Sequence, residues 1–242
     1  MTVDMKRAWQ LVCLLLLFSS GRVRALKLQM MMHQAPINSN IPTDLILSSG
    51  FCAFARQAGV LAAVDDFGIQ VDRCVGTSSG SLAASLYSAG YTPLQIADEL
   101  SKRRPISLCQ PSFKLHKGAF SLNGLIAHLR TLLPQDFSQL PRKLAVGVFE
   151  TATGTFRLIE DGDLPQAVAA SCAIPYVFQP VLAGSPPVLS ADGGVKDRLG
   201  VGHWATWAGA TEAAPRRAGT TDVRHCRQSI HGTLVCWLSI AG

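Results

Sequence analysis

Cys74-Val75-Gly76-Thr77-Ser78-Ser79-Gly80-Ser81-Leu82-Ala83-Ala84 carries the pattern Gly-x-Ser-x-Gly with Ser78 at its centre. Apolar Ile69, Val71 and Val75 lie before it, and Leu82, Ala83, Leu86 and Ala89 follow at helical spacing. This predicts a strand ending near Val75, a sharp turn, and a helix starting near Ser79. Such a strand–turn–helix is a nucleophile elbow, which lifts the central hydroxyl clear of the sheet. A side chain at Gly76 or Gly80 would collide with the neighbouring strand or helix. The new helix aims the positive end of its dipole at Ser78. Alone, the pattern also fits a Gly/Ser-rich turn or a phosphate loop. No Gly-Lys-Ser/Thr follows, which argues against a nucleotide-binding loop.

Upstream, Leu45-Ile46-Leu47 reads as a short buried parallel strand. A Ser48-Ser49-Gly50 turn follows, then a helix over 52–65 with Phe54, Ala58, Leu61, Ala62 and Val64 towards a core. Gly68 ends it. Residues 44–89 therefore give β-α-β-α, the start of an α/β fold of three layers, α/β/α, with a mostly parallel central sheet. Sites in such sheets lie at the carboxyl ends of strands. The Ser49-Gly50 turn and Ser78 are both at such ends and are expected to face one crevice.

Downstream, Thr92 and Pro93 are placed as N-cap and first residue of another helix. The irregular, partly apolar stretch 104–121 suits either a lid over an apolar substrate or an ordinary surface loop. Leu122, Leu125, Ile126, Leu129, Leu132 and Leu133 predict a helix stopped by Pro134. Residues 144–149 and 155–159 read as a β-hairpin. Asp163 caps a helix over 164–173, with Gln166 placed for a capping box. Its small-residue end, Ala169-Ala170-Ser171-Cys172-Ala173, suits close packing under another element. Val188-Leu189-Ser190 leads into Ala191-Asp192-Gly193-Gly194.

The chain has 242 residues, 48% hydrophobic and 16% charged, which suits one globular domain with a sizeable core. A formal net charge of +6 favours anionic surfaces. Without basic runs interleaved with aromatics or zinc-finger spacing, lipid headgroups are a better match than nucleic acid. Residues 1–25 have the order of a signal peptide: Lys6 and Arg7, an apolar run over 11–18, then Val23-Arg24-Ala25. That implies the secretory pathway, with an uncleaved anchor or an organelle leader as alternatives. Residues 26–43 read as a linker, 44–200 as the catalytic domain, and 201–242 as a divergent or disordered tail in which 232–240 is a possible strand. Of the seven cysteines, Cys52, Cys74 and Cys172 sit in apolar stretches as small core residues. Cys226 and Cys236 are free to pair, though nothing requires it. No metal site is evident.

In this order the motifs resemble the patatin-like phospholipase family over about residues 43–200. The residues that carry the likeness are the turn after the first strand, Gly76-Thr77-Ser78-Ser79-Gly80, Ala170-Ser171-Cys172-Ala173-Ile174-Pro175, and Asp192-Gly193-Gly194. The resemblance implies a lipid acyl hydrolase with Ser78 as nucleophile, Asp192 as base, and a lipid or membrane-surface substrate. It implies no cofactor and no obligate protein partner. The chemistry is coherent on its own terms. A serine hydroxyl needs a base within reach, and a desolvated carboxylate can take its proton. The backbone of Ser49, Gly50 and Phe51 would form the oxyanion hole. Here the sequence departs from the family, which carries Gly-Gly-Gly-x-Arg/Lys-Gly where this chain has Ser49-Gly50-Phe51-Cys52-Ala53-Phe54. The departure keeps a catalytically impaired lipid-binding protein open as an alternative. A Ser–Asp–His esterase is a third reading, with His203, His225 or His231 as the base.

Overall fold

The computed structural model describes residues 43–50, 53–102, 105–112, 118–207, 226–228 and 233–236, all within the unit Asn40–Gly242. The stretches read as a leader and a linker before Thr43, Phe51 and most of the tail lie outside the described residues.

Strand β1 (Thr43–Leu47) enters helix α1 (Phe54–Asp66), and β2 (Val71–Thr77) enters α2 (Ser79–Ser88). Helix α3 (Pro93–Lys102) begins on the predicted signal: Thr92 N–H donates to Gln95 Oε1 at 2.8 Å, and Thr92 Oγ1 accepts from Gln95 N–H at 3.3 Å. The stretch read as irregular holds a small hairpin, β3 (Gln110–Pro111) with β4 (Phe120–Ser121). Helix α4 (Asn123–Leu132) ends before Pro134. The hairpin of β5 (Lys143–Glu150) and β6 (Thr155–Ile159) forms as expected. Helix α5 (Leu164–Ser171) is capped by Asp163, whose carboxylate accepts from Gln166 N–H at 2.9 Å. Strands β7 (Val181–Ala183) and β8 (Val188–Asp192), helix α6 (Val201–Trp207), and strands β9 (Cys226–Gln228) and β10 (Thr233–Cys236) complete the order.

The sheet has a parallel centre: β10, β1, β2 and β5 pair in parallel. Antiparallel strands flank it. One join matters for the site. Val146 and Gly147 of β5 pair at once with β2 and with β6, and Val148, Phe149 and Glu150 pair at once with β8 and with β6. A strand has two edges, so β2 and β8 lie end to end along the same edge of β5. Thr77 closes β2 opposite Gly147, and Asp192 closes β8 opposite Val148.

Alternation along the strands splits the core in two. Leu45, Leu47, Cys74, Leu144, Val146 and Val148 pack with residues of α1 to α5. Ile46, Val75 and Ala145 point the other way, where Trp204 of α6 covers them. The Trp204 indole N–H donates to Asp44 Oδ2 at 2.9 Å, and Arg73 completes the buried carboxylate's contacts with a 2.7 Å ion pair. The fold thus continues beyond Gly200, where sequence reading placed its end. A helix of seven residues is too short to display a period, so its packing role was not legible in the tail.

Candidate active site

Ser78 stands between β2 and α2 with φ 55° and ψ −122°. A non-glycine residue at positive φ costs on the order of 1–3 kcal/mol and persists only where its surroundings over-determine it. Both ends of the Ser78 backbone are held here. Its N–H donates to Ser171 Oγ at 2.8 Å. Its carbonyl accepts from Ser81 N–H at 2.9 Å and from the Ser81 hydroxyl at 2.7 Å. The motif glycines supply the room. A Cβ on Gly76 would sit 2.6 Å from Ser81 Cα, and one on Gly80 would strike the Leu47 carbonyl.

The end-to-end strands bring Asp192 to this turn. The Ser78 hydroxyl donates to Asp192 Oδ2 at 2.7 Å, while Gly194 N–H donates to Oδ1 at 2.8 Å. Asp192 N–H donates to the Ala173 carbonyl at 2.9 Å, which fixes the strand end. The residue is only 5% exposed. Burial pushes its carboxyl above the usual carboxylate range, opposed by the bonds from Ser78 and Gly194. A Cβ on Gly193 would sit 2.6 Å from the Gly147 carbonyl, and one on Gly194 2.6 Å from Ser49 Oγ. Glycine at both positions lets the Asp192 turn press against β5 and the β1–α1 turn.

The expected oxyanion turn needs correction. Ser49 N–H is already engaged, donating to the Arg198 carbonyl at 2.9 Å, so Ser49 is not an available donor. Gly50 N–H has no partner among the described residues, and Phe51 lies outside them. The first N–H of α2, that of Ser79, is likewise unengaged among the described residues and follows Ser78 directly. The turn is tied to the elbow by side chains: Ser79 Oγ donates to the Gly50 carbonyl at 2.6 Å. Buried Gln57 of α1 donates through Nε2 to the Ser48 carbonyl at 2.8 Å and to Ser79 Oγ at 3.2 Å.

Sequence reading did not assign roles to Ser171 and Gln57. Ser171 is fully buried and donates its one hydroxyl proton to the Gly147 carbonyl at 2.6 Å. Its lone pair is therefore left to face Ser78 N–H. The available signal was a hydroxyl among alanines at the end of a helix already seen as close-packed. Cys172 beside it donates to the Ser78 carbonyl at 3.4 Å, and burial together with the Asp192 charge pushes its thiol pKa up, so it stays protonated. His203 lies on α6 against the Phe156 ring, with centroids 4.8 Å apart. His225 and His231 are outside the described residues. The serine–carboxylate hydrogen bond is direct, with no imidazole between. Among the described residues no group of three metal-ligating side chains gathers, and no helix is long and apolar enough to cross a membrane.

Comparison with known proteins gives a consistent picture. The profile of the family described as patatin-like phospholipase matches residues 45–203. Uncharacterized NTE family proteins of Mycobacterium bovis and Mycobacterium tuberculosis are 27% identical over 158 residues, which is 64% of this chain and 43% of theirs. The chain thus spans less than half the length of these curated relatives. Among solved structures, VipD from Legionella pneumophila superposes with a TM-score of 0.51 at 13% identity, covering 81% of this chain and 49% of that one. At that identity the likeness speaks for the fold.

Proposed function

The chain belongs to the patatin-like phospholipase family, and from that membership we propose that it is a serine lipid acyl hydrolase working through Ser78 and Asp192. Ser78 Oγ attacks the ester carbonyl while its proton passes to Asp192 Oδ2. The C–O π bond becomes an oxyanion, met by the unengaged N–H groups of Gly50 and Ser79 and by the N-terminal end of α2. Collapse expels the alcohol, which takes the proton from Asp192 and leaves an acyl-serine. Water then attacks the acyl-serine, giving its proton to Asp192. The second collapse releases the fatty acid and returns the proton to Ser78. These steps draw on side chains, backbone and water.

The observation that carries the reading is the 2.7 Å bond from the Ser78 hydroxyl to a buried carboxylate, made by a serine in a strained turn at a helix start. The burial that raises Asp192 also makes it a stronger base than a solvated aspartate. The test is hydrolysis of a phospholipid, galactolipid and triacylglycerol panel by purified protein, with a fluorophosphonate probe reporting on Ser78. Ser78→Ala is expected to abolish both signals. Full turnover in that variant would overturn the assignment. A second reading, a lipid-binding protein with impaired turnover, is favoured by the engagement of Ser49 N–H with Arg198. It predicts lipid binding without probe labelling.

A further inference from the structure

Tyr176 is 93% exposed and sits at φ 68°, a conformation that L side chains rarely adopt. The turn is not loose. Tyr176 and Val177 carbonyls accept from Ala119 and Phe120 N–H at 3.4 and 2.9 Å, and Gln179 N–H returns to the Phe120 carbonyl at 2.8 Å. A rigid lip therefore presents Tyr176 and Val177, itself 42% exposed.

A second exposed turn follows Asp192. Val195, 58% exposed, follows the Asp192-Gly193-Gly194 motif. Lys196 and Arg198 are also exposed. The acidic residue between them is turned inward: Asp197 Oδ1 accepts from Leu199 and Gly200 N–H at 3.0 and 2.9 Å. Asp197 thus caps its own turn, while Lys196 and Arg198 are exposed. Both turns leave one hydrogen bond, Asp192 N–H to the Ala173 carbonyl. Tyr176 is three residues from one end of it and Val195 three from the other, so the chain lets neither stray more than about 11 Å from it. The Arg198 carbonyl accepts from Ser49 N–H at 2.9 Å, which ties this turn to the β1–α1 turn.

We propose that Tyr176, Val177 and Val195, with Lys196 and Arg198, form a docking lip that seats the mouth of the site on an anionic phospholipid surface. A tyrosine is amphipathic and settles at the headgroup level, with valines reaching the acyl boundary. Lysine and arginine at the same level attract anionic lipid. The occupant is a lipid surface rather than a protein groove because the exposed features are one aromatic, two small aliphatics and two cations on protruding turns. The proposal rests on the lipid-hydrolase reading for its catalytic consequence, but its binding test does not.

The test is co-sedimentation of the full chain with vesicles of ether-linked phosphatidylcholine, with and without ether-linked phosphatidylserine. Such lipids have no acyl ester, so binding is read whether or not Ser78 is a nucleophile. The wild type is expected to bind the serine-containing vesicles more tightly. Lys196→Glu with Arg198→Glu should erase that preference, since each lost cation alone weakens binding by about fivefold and each added carboxylate is repelled as well. Tyr176→Gly should weaken binding to both vesicles while leaving the melting temperature unchanged or raised, since glycine accepts positive φ without strain. A tyrosine kept only for folding would give the reverse. Binding unaltered in both variants, or no sedimentation of the wild type with either vesicle, overturns the proposal.

Discussion

Ser78 N–H and the Gly147 carbonyl are bridged by one hydroxyl, that of Ser171, at 2.8 and 2.6 Å. The hydroxyl has a single proton and gives it to Gly147, so the direction of the relay is set. Gly147 stands opposite Thr77 in the β2–β5 ladder, and a Cβ there would strike the Thr77 side chain. The elbow is thus referenced to β5 twice, through the ladder and through Ser171.

Ser171→Ala would leave a buried N–H and a buried carbonyl without partners, at roughly 1–3 kcal/mol each. Part of that is relieved if the strained turn relaxes, and relaxation moves Ser78 Oγ off Asp192. We expect kcat to fall by about 10- to 100-fold with KM little changed, since misplacing a reacting group costs rate rather than binding. Steady-state kinetics with the rate of fluorophosphonate acylation at Ser78 check this. A fall in stability with acylation at the wild-type rate would leave Ser171 a packing residue only.

Asp192→Asn separates stability from activity. The folded pKa of Asp192 is raised because burial disfavours the charge. The folded state therefore holds the proton more tightly than the unfolded chain, and the ionised carboxylate destabilises the fold above that raised value. As pH falls through it the group protonates and the penalty disappears. The asparagine variant is expected to melt at or above the wild-type temperature at pH 7, with the difference closing towards pH 4, while hydrolysis is lost throughout. The same shift places the acid limb of kcat/KM in the wild type above the ordinary carboxylate range. Thermal melts and a pH–rate profile check both halves. A variant less stable than the wild type at pH 7 would mean that the carboxylate's hydrogen bonds outweigh its burial.

How much of this was legible follows from how local each signal is. The Gly76–Gly80 elbow, the apolar run of β1 and the Thr92–Pro93 cap each declare themselves within a few residues, because a turn or a cap is specified by its own side chains. Asp192 was recognisable only together with Ser78, since Asp-Gly-Gly alone is an ordinary turn. Ser171, Gln57 and the engagement of Ser49 N–H were not legible. Each depends on which carbonyl lies across a gap between distant elements, and a sequence does not print that. The three-residue strand β7 was too short to alternate visibly.

Trp204 tests the fold beyond Gly200. It is 6% exposed and covers Ile46, Val75 and Ala145 on the sheet face that α1 to α5 do not reach. Trp204→Ala is expected to destabilise by about 3–5 kcal/mol through the cavity it leaves. Trp204→Phe keeps most of the packing but removes the indole donor from Asp44, and should cost about 1.5–3 kcal/mol, the range for a hydrogen bond to a charged group. Arg73 still faces that carboxylate, which argues for the lower end. Urea unfolding checks the order of the two. Equal stability of the wild type and Trp204→Ala would show that α6 does not cover the second face in solution.

Gln57 gives a case where stability and rate should part in the opposite sense to Asp192. Its Nε2 holds the Ser48 carbonyl and Ser79 Oγ, but its buried Oε1 has no partner among the described residues. Gln57→Leu loses both bonds and leaves the buried Ser48 carbonyl unpaired, at roughly 1–3 kcal/mol, but it also removes an unsatisfied acceptor of similar cost, so the two largely offset and the net change in stability should be small. Catalysis has no such compensation. Gln57 is what ties α1 to the turn carrying Gly50 N–H, and a donor displaced from the developing oxyanion loses part of the roughly 2.7–4 kcal/mol that such a donor supplies. We expect kcat to fall by about tenfold or more with the melting temperature nearly unchanged. Gln57→Glu is the control. Its carboxylate cannot donate to the Ser48 carbonyl and carries charge into a buried site, so it should lose stability and rate together. Wild-type kcat in Gln57→Leu would remove the β1–α1 turn from the oxyanion site and leave Ser79 N–H at the head of α2 as the donor to test.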